Sequence, residues 1–188
     1  SKPSMELARL LSARADIAVK RDAIDDSLEL HRKALEIQIA IRDAVGAARS
    51  YNNMGHIFRR RRDLRHALEV YSNVEDLLNS EDNPELNDAR IRLASAFMEM
   101  GELDRAREHA LTAYENTKDG DQDFLHARSR AVLGRFYAKM SDNELALHHY
   151  SGALETLSDL NDPRSAVEVE MLLGQVLVDA GRKDEAGE

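Results

Sequence analysis

The side chains that could do chemistry in this chain are arginines, histidines and carboxylates, and their spacing limits what each can do. The densest group is Arg59-Arg60-Arg61-Arg62, followed closely by Arg65 and His66. Such a run has the composition of an anion or nucleic-acid contact. It also has the composition of a solvated turn between two helices, with Asp63 and Glu69 near enough in sequence to pair with it. Seven histidines raise the question of a metal, and His148-His149 is the tightest pair. Neighbours on a helix point about 100° apart, so these two do not chelate one ion. Without any Cys, thiolate ligands and disulfides are excluded. No metal and no cofactor is expected.

Signatures of catalysis are missing as well. The P-loop and dinucleotide-binding glycine motifs are absent, as are HExxH and GxSxG. Carboxylates are plentiful but scattered, with no pattern that forces one into a dry pocket where its pKa would move. We therefore expect no enzyme here. The net charge of -9 argues against nucleic acid and anionic membrane surfaces as partners, because both are polyanionic. No apolar run approaches the roughly 20 residues that span a bilayer. The opening SKPSMEL lacks the apolar core of a signal peptide, and the absence of Cys suits a reducing cytoplasm, which is the expected location. A start at Ser1 rather than Met leads us to expect a piece of a longer protein.

The elements that must carry these side chains are helices. Pro is 3, Gly 9 and aromatics only 5%, so few residues break a helix. Small residues recur at Ala15, Gly55, Ala94, Gly134 and Gly174, separated by 40, 39, 40 and 40 residues. Three residues after each marker comes a large residue in four copies, Phe58, Phe97, Tyr137 and Leu177. Twelve after it stands a small one, Ser27, Ala67, Ala106, Ala146 or Ala186. A bulky residue follows four later (His31, Tyr71, Tyr150), then Ala34, Ala113 or Ala153. These offsets place each set on one helical face, where small residues admit a close helix and large ones fill the remaining gap. The spacing predicts repeats over 4–43, 44–82, 83–121, 122–161 and 162–188, the last incomplete. First helices are expected at about 4–20, 46–60, 84–100, 122–139 and from 163 to before Gly181. Second helices are expected at about 25–42, 64–79, 103–117 and 143–157. Ser4, Asn83 before Pro84, and Asn161-Asp162 before Pro163 are the capping signals.

This pattern resembles the tetratricopeptide repeat (TPR), here in a long form of about 40 residues in place of the common 34, as in multidomain signalling and regulatory proteins. Repeat 1 departs from it, with Arg14 where others have Met or Leu and Ala18 where they have a large residue. Repeat 3 has Ala110 in place of the aromatic. The resemblance implies an all-α, right-handed solenoid of antiparallel helix hairpins forming a single array. It further implies a concave groove lined by first-helix positions six and three before the marker and one and four after it.

On those positions stand Arg49, Asn52, His56 and Arg59; Asp88, Ile91, Ser95 and Met98; Arg128, Ala131, Arg135 and Ala138; and Glu168, Met171, Gln175 and Val178. Four arginines and a histidine in an otherwise acidic chain point to an acidic or C-terminal peptide. Asn52 is placed to bond the ligand's backbone, while Ile91, Met98 and Met171 would supply apolar contact. The alternative is an empty groove whose arginines pair with neighbouring helices. The implied function is a non-catalytic protein–protein interaction scaffold. Two rival readings stand beside it. In one, this is a sensor or autoinhibitory segment of a larger bacterial signalling or transcription regulator. In the other, the array forms a homodimer through its last helix, with Leu172, Leu173, Val176 and Leu177 as contacts.

Overall fold

The computed structural model describes residues 4–78, 80 and 83–181. Among them lie nine helices and no strand: α1 (Met5–Lys20), α2 (Ile24–Ala40), α3 (Ala44–Arg60), α4 (Leu64–Leu77), α5 (Pro84–Met100), α6 (Leu103–Thr117), α7 (Asp123–Lys139), α8 (Asn143–Asp159) and α9 (Pro163–Asp179). The chain divides into two compact units within α5, one ending at Ala96 and the other beginning at Phe97. Ala186 of the repeat pattern lies outside the described residues.

One local device ends most of these helices. The backbone is left-handed at Asp22, Arg42, Arg62, Gly101, Ser141, Asn161 and Gly181, with φ between 57° and 83°. The next residue's N–H reaches back five positions: Asp43 to the Gln38 carbonyl, Asp63 to Phe58, Asp142 to Tyr137, Asp162 to Leu157. This satisfies carbonyls orphaned at the helix end. In these four turns the same aspartate then caps the following helix, its carboxylate accepting the N–H of Gly46, His66, Leu145 or Ser165. Where this turn closes both helices of a hairpin, the left-handed residues fall 20 apart, as at Asp22, Arg42 and Arg62 and at Ser141, Asn161 and Gly181. The 40-residue repeat is thus two helix-plus-turn units of equal length. In repeats 1 and 4 the second helix has 17 residues, as long as most first helices. In repeats 2 and 3 it has 14 and 15, and the connection after it takes up the difference.

The predicted packing is present in each unit. In the first, Gly55 of α3 lies so close to Tyr71 of α4 that a Cβ there would sit 2.3 Å from the ring, and Tyr71 is fully buried. In the second, a Cβ on Gly134 would sit 2.7 Å from the ring of Tyr150. Repeat 1 carries Ala15 and His31 at these positions, both buried, so a larger marker goes with a smaller ring. In the first unit Ala48, Val74, Leu78, Leu86 and Ala89 form a cluster joining α3, α4 and α5. In the second, Ala127, Ala146, Tyr150, Ala153, Leu157, Val169 and Val176 join α7, α8 and α9.

The α9 residues expected as dimer contacts belong to this interior. Val176 and Leu177 are buried, and Leu172 and Leu173 pack partly buried against the cluster. They face inward because α9 lies on α8. The outward residues are Val167 (53% exposed), Met171 (73%) and Val178 (42%).

Candidate functional site

The basic run resolves as a turn. Arg59 and Arg60 finish α3, Arg62 is the left-handed residue and Asp63 caps α4. Arg60 lies 3.9 Å from Asp22, and Arg61 donates to Asp25, both in the turn before α2 or its first residues. His66 stacks on Phe58 and hydrogen-bonds Asp63, which holds that carboxyl below its ordinary range. Opposite charges from successive hairpins therefore meet at one edge of the first unit.

In that unit three of the expected groove positions, Asn52, Ile91 and Ser95, are buried, while Arg49 is exposed. The Arg49 guanidinium donates from Nε to Glu85 Oε1 at 2.8 Å. Asn52 is 1% exposed, and its Nδ2 donates to the Glu85 backbone carbonyl at 2.8 Å. The amide expected to bond a ligand is thus spent tying α3 to the first turn of α5. Ile91 and Ser95 are also buried, with the Ser95 hydroxyl donating to the Ile91 carbonyl. His56 and Arg59 are half-buried.

The second unit differs. Met98 is buried, with its carbonyl accepting from Lys139 Nζ at 3.0 Å. On α7 and α9 the expected positions stay half-buried or exposed. Arg128, Ala131, Arg135 and Ala138 follow one face of α7, all half-buried. The Arg128 guanidinium lies 5.8 Å from the ring centroid of Phe124. On α9, Met171, Gln175 and Val178 are exposed, and the Gln175 amide donates to Asp179. Two arginines spaced seven apart, a flexible thioether and small residues between them can hold an extended or helical ligand that carries carboxylates.

The histidines are used for packing. His31 is 1% exposed, and burial pushes its imidazole below the ordinary value against the pull of Asp16 at 3.8 Å. His149 lies parallel to Tyr137, ring centroids 5.4 Å apart, with Tyr114 edge-on at 5.8 Å. Burial first, then His148, Arg130 and His126, lower its pKa to about 4. His148 and His149 face each other at 73°. Among the described residues no three His, Cys, Asp or Glu side chains are grouped to hold a metal ion. No described helix is long and apolar enough to cross a membrane.

The Tyr114–Tyr137–His149 stack was not anticipated from sequence, although a signal for it existed. In repeats 3 and 4 a histidine stands fifteen after the marker, His109 and His149, and each stacks on the aromatic three after the marker.

Comparison with known proteins follows from this geometry. The tetratricopeptide repeat family matches residues 6–80. No curated protein matches the chain in sequence. Among solved structures, BtubC (BKLC) from P. vanneervenii is similar with a TM-score of 0.82 at 21% identity, over 97% of this chain and 76% of that one. A Rap protein crystallised with Competence and Sporulation Factor gives 0.83 at 14% identity; this chain spans 51% of that protein's length. Nearly identical TPR-like repeats from Podosopora anserina give 0.74 at 15% identity, over 98% and 92% of the two chains. At these identities the likeness establishes the fold, an all-α helical-repeat solenoid. The tetratricopeptide repeat family thus matches residues 6–80, and the same residue pattern continues to Gly174 on this shared fold.

Proposed function

We propose that this array is a non-catalytic protein–protein interaction module. Its peptide-binding strip is formed by α7 and α9, with Arg128 and Arg135 fixing carboxylates of the ligand. The observation that carries the reading is the accessibility of these positions: Arg135 stands between Ala131 and Ala138 on α7, while Met171 on α9 is 73% exposed. A methionine so exposed on α9, with half-buried cations on α7, suits an adaptable acidic-peptide surface. The likeness to a Rap protein bound to Competence and Sporulation Factor supports this at the level of fold.

The α3 positions Arg49 and Asn52 contribute less, because the Arg49 Nε and the Asn52 amide already donate to Glu85. Capture from the source lysate with the wild-type chain and with Arg128→Glu/Arg135→Glu tests the reading. A partner retained by the wild type alone, with both chains equally folded, is the expected result. The same partner held equally by the double variant would remove the arginines from the site.

A second reading is a sensor or autoinhibitory segment of a larger regulator, whose strip is filled by another part of the same polypeptide. It draws on the likeness to about half of two Rap chains. It predicts protection of α7 and α9 from hydrogen exchange in the longer protein without any added partner. Equal exchange in both contexts would count against it.

A further inference from the structure

The first hairpin contains a socket that its own sequence leaves unfilled. In the other complete repeats, the aromatic three residues after the marker is covered by a second-helix side chain eleven or fifteen after the marker. Phe58 stacks on His66 at 5.4 Å. Phe97 stacks on His109 at 5.4 Å and lies under the Arg105 guanidinium, 3.9 Å from the ring centroid. Tyr137 stacks on His149 at 5.4 Å. Repeat 1 has Ala18, Asp26 and Leu30 at the same three positions. These three residues line an open cavity of about 560 Å³ between α1 and α2. That size lies within the range of small-ligand clefts, about 300–1,000 Å³.

The rim of the socket is charged in a particular way. Lys33 pairs with Glu29 at 3.1 Å, and Asp26 places one further carboxylate on the rim. Arg14 of α1 and Arg21, which caps its C-terminal end, also line the cavity, and neither forms an ion pair among the described residues. They lie seven apart, about two helical turns, on either side of Ala18 in sequence. A ring seated on Ala18 and Leu30 would therefore lie between two guanidinium groups, as Phe97 lies under Arg105.

We propose that this socket binds an aromatic side chain of a peptide that carries a carboxylate beside the ring. The ring takes the place that Phe58, Phe97 and Tyr137 occupy in their own repeats. The carboxylate accepts from Arg14 or Arg21. The site lies wholly within α1 and α2, so it does not depend on the α7–α9 strip.

The test is an amide chemical-shift titration of the whole chain with N-acetyl-Phe-Glu-amide, with N-acetyl-Leu-Glu-amide and N-acetyl-Phe-Lys-amide as controls. The phenylalanyl-glutamyl peptide is expected to move the resonances of Ile17, Ala18 and Leu30 and to saturate. The two controls should bind roughly tenfold more weakly, the factor expected on losing one ring–cation or charge-assisted contact. Ala18→Phe supplies the missing ring and should abolish the shifts while raising the melting temperature. Arg14→Glu/Arg21→Glu changes only exposed positions, so it keeps the fold and should also lose the peptide. No shift with any probe would overturn the proposal. So would equal binding of the leucyl peptide, or undiminished binding by the double arginine variant.

Discussion

The glycine markers allow a prediction whose sign differs between copies of one motif. Gly134→Ala would place a methyl group 2.7 Å from two ring carbons of Tyr150. Carbon atoms pack at about 3.5–4.0 Å, so the ring must retreat by roughly 1 Å. Tyr150 is 1% exposed and sits inside the α7–α8–α9 cluster, which leaves it nowhere to go. Overpacking of this kind costs about 1–3 kcal/mol, while replacing a helical Gly by Ala returns about 1 kcal/mol. The net is a loss of about 1 kcal/mol, and Gly55→Ala, at 2.3 Å from Tyr71, should lose more. Gly174 has nothing within 4 Å of the same Cβ position, so Gly174→Ala keeps the helical gain and stabilises by about 0.5–1 kcal/mol. Urea denaturation followed by circular dichroism reads these differences as shifts in midpoint at constant slope. The pairing can be probed further with Gly134→Ala/Tyr150→His, which rebuilds the Ala15–His31 combination of repeat 1 and should recover part of the loss. If Gly134→Ala stabilised as much as Gly174→Ala, ring-against-glycine packing would not be what these markers do.

Further predictions concern protonation and capping. His149 has a folded pKa of about 4 against an ordinary 6.5, so the unfolded chain takes up its proton first as pH falls. Stability from this group is complete above pH 6.5 and is lost between there and pH 4; by pH 5 the loss is about 2 kcal/mol. The urea midpoint of His149→Leu should therefore fall less between pH 7 and pH 5 than that of the wild type, and parallel falls would refute the assignment. Buried His31, also lowered, acts in the same direction and should remain in that variant. Asp162→Ala removes the carboxylate that accepts the Ser165 N–H and hydroxyl, and should cost about 1 kcal/mol, measured by thermal melting against Ser158→Ala on the preceding helix.

The helical hairpins were legible because small and large residues repeat at offsets that only a helix brings to one face. Gly55, Gly134 and their tyrosines carried that signal without help from any single motif. The turns were harder to read. Arg42, Arg62 and Ser141 adopt the left-handed conformation that glycine, asparagine and aspartate favour, so their residue types announced nothing. The aspartate after the left-handed residue was the readable part, since it ends one helix and caps the next. Groove residues were legible as positions on a helix, but not as surface. Asn52 and Ile91 lie at the expected offsets, and the structure buries both, Asn52 where its amide donates to the Glu85 carbonyl. That burial depends on tertiary neighbours, which an offset within one helix cannot report.

The same distinction separates the two faces of α9. A helix with Leu172, Leu173, Val176 and Leu177 looks as if it offers those residues to a partner, and periodicity alone cannot say which neighbour they meet. Contact with α8 takes them, and the outward face is then defined by what remains, Val167, Met171 and Val178. In repeat 1 the reasoning runs the other way, from a departure to a cavity. Ala18 breaks the pattern, and the structure does not collapse to fill the missing ring's volume. Backbone positions in a stacked hairpin are fixed by Ala15, Ala34 and His31 on the buried faces, so loss of one side chain leaves a space rather than a rearrangement.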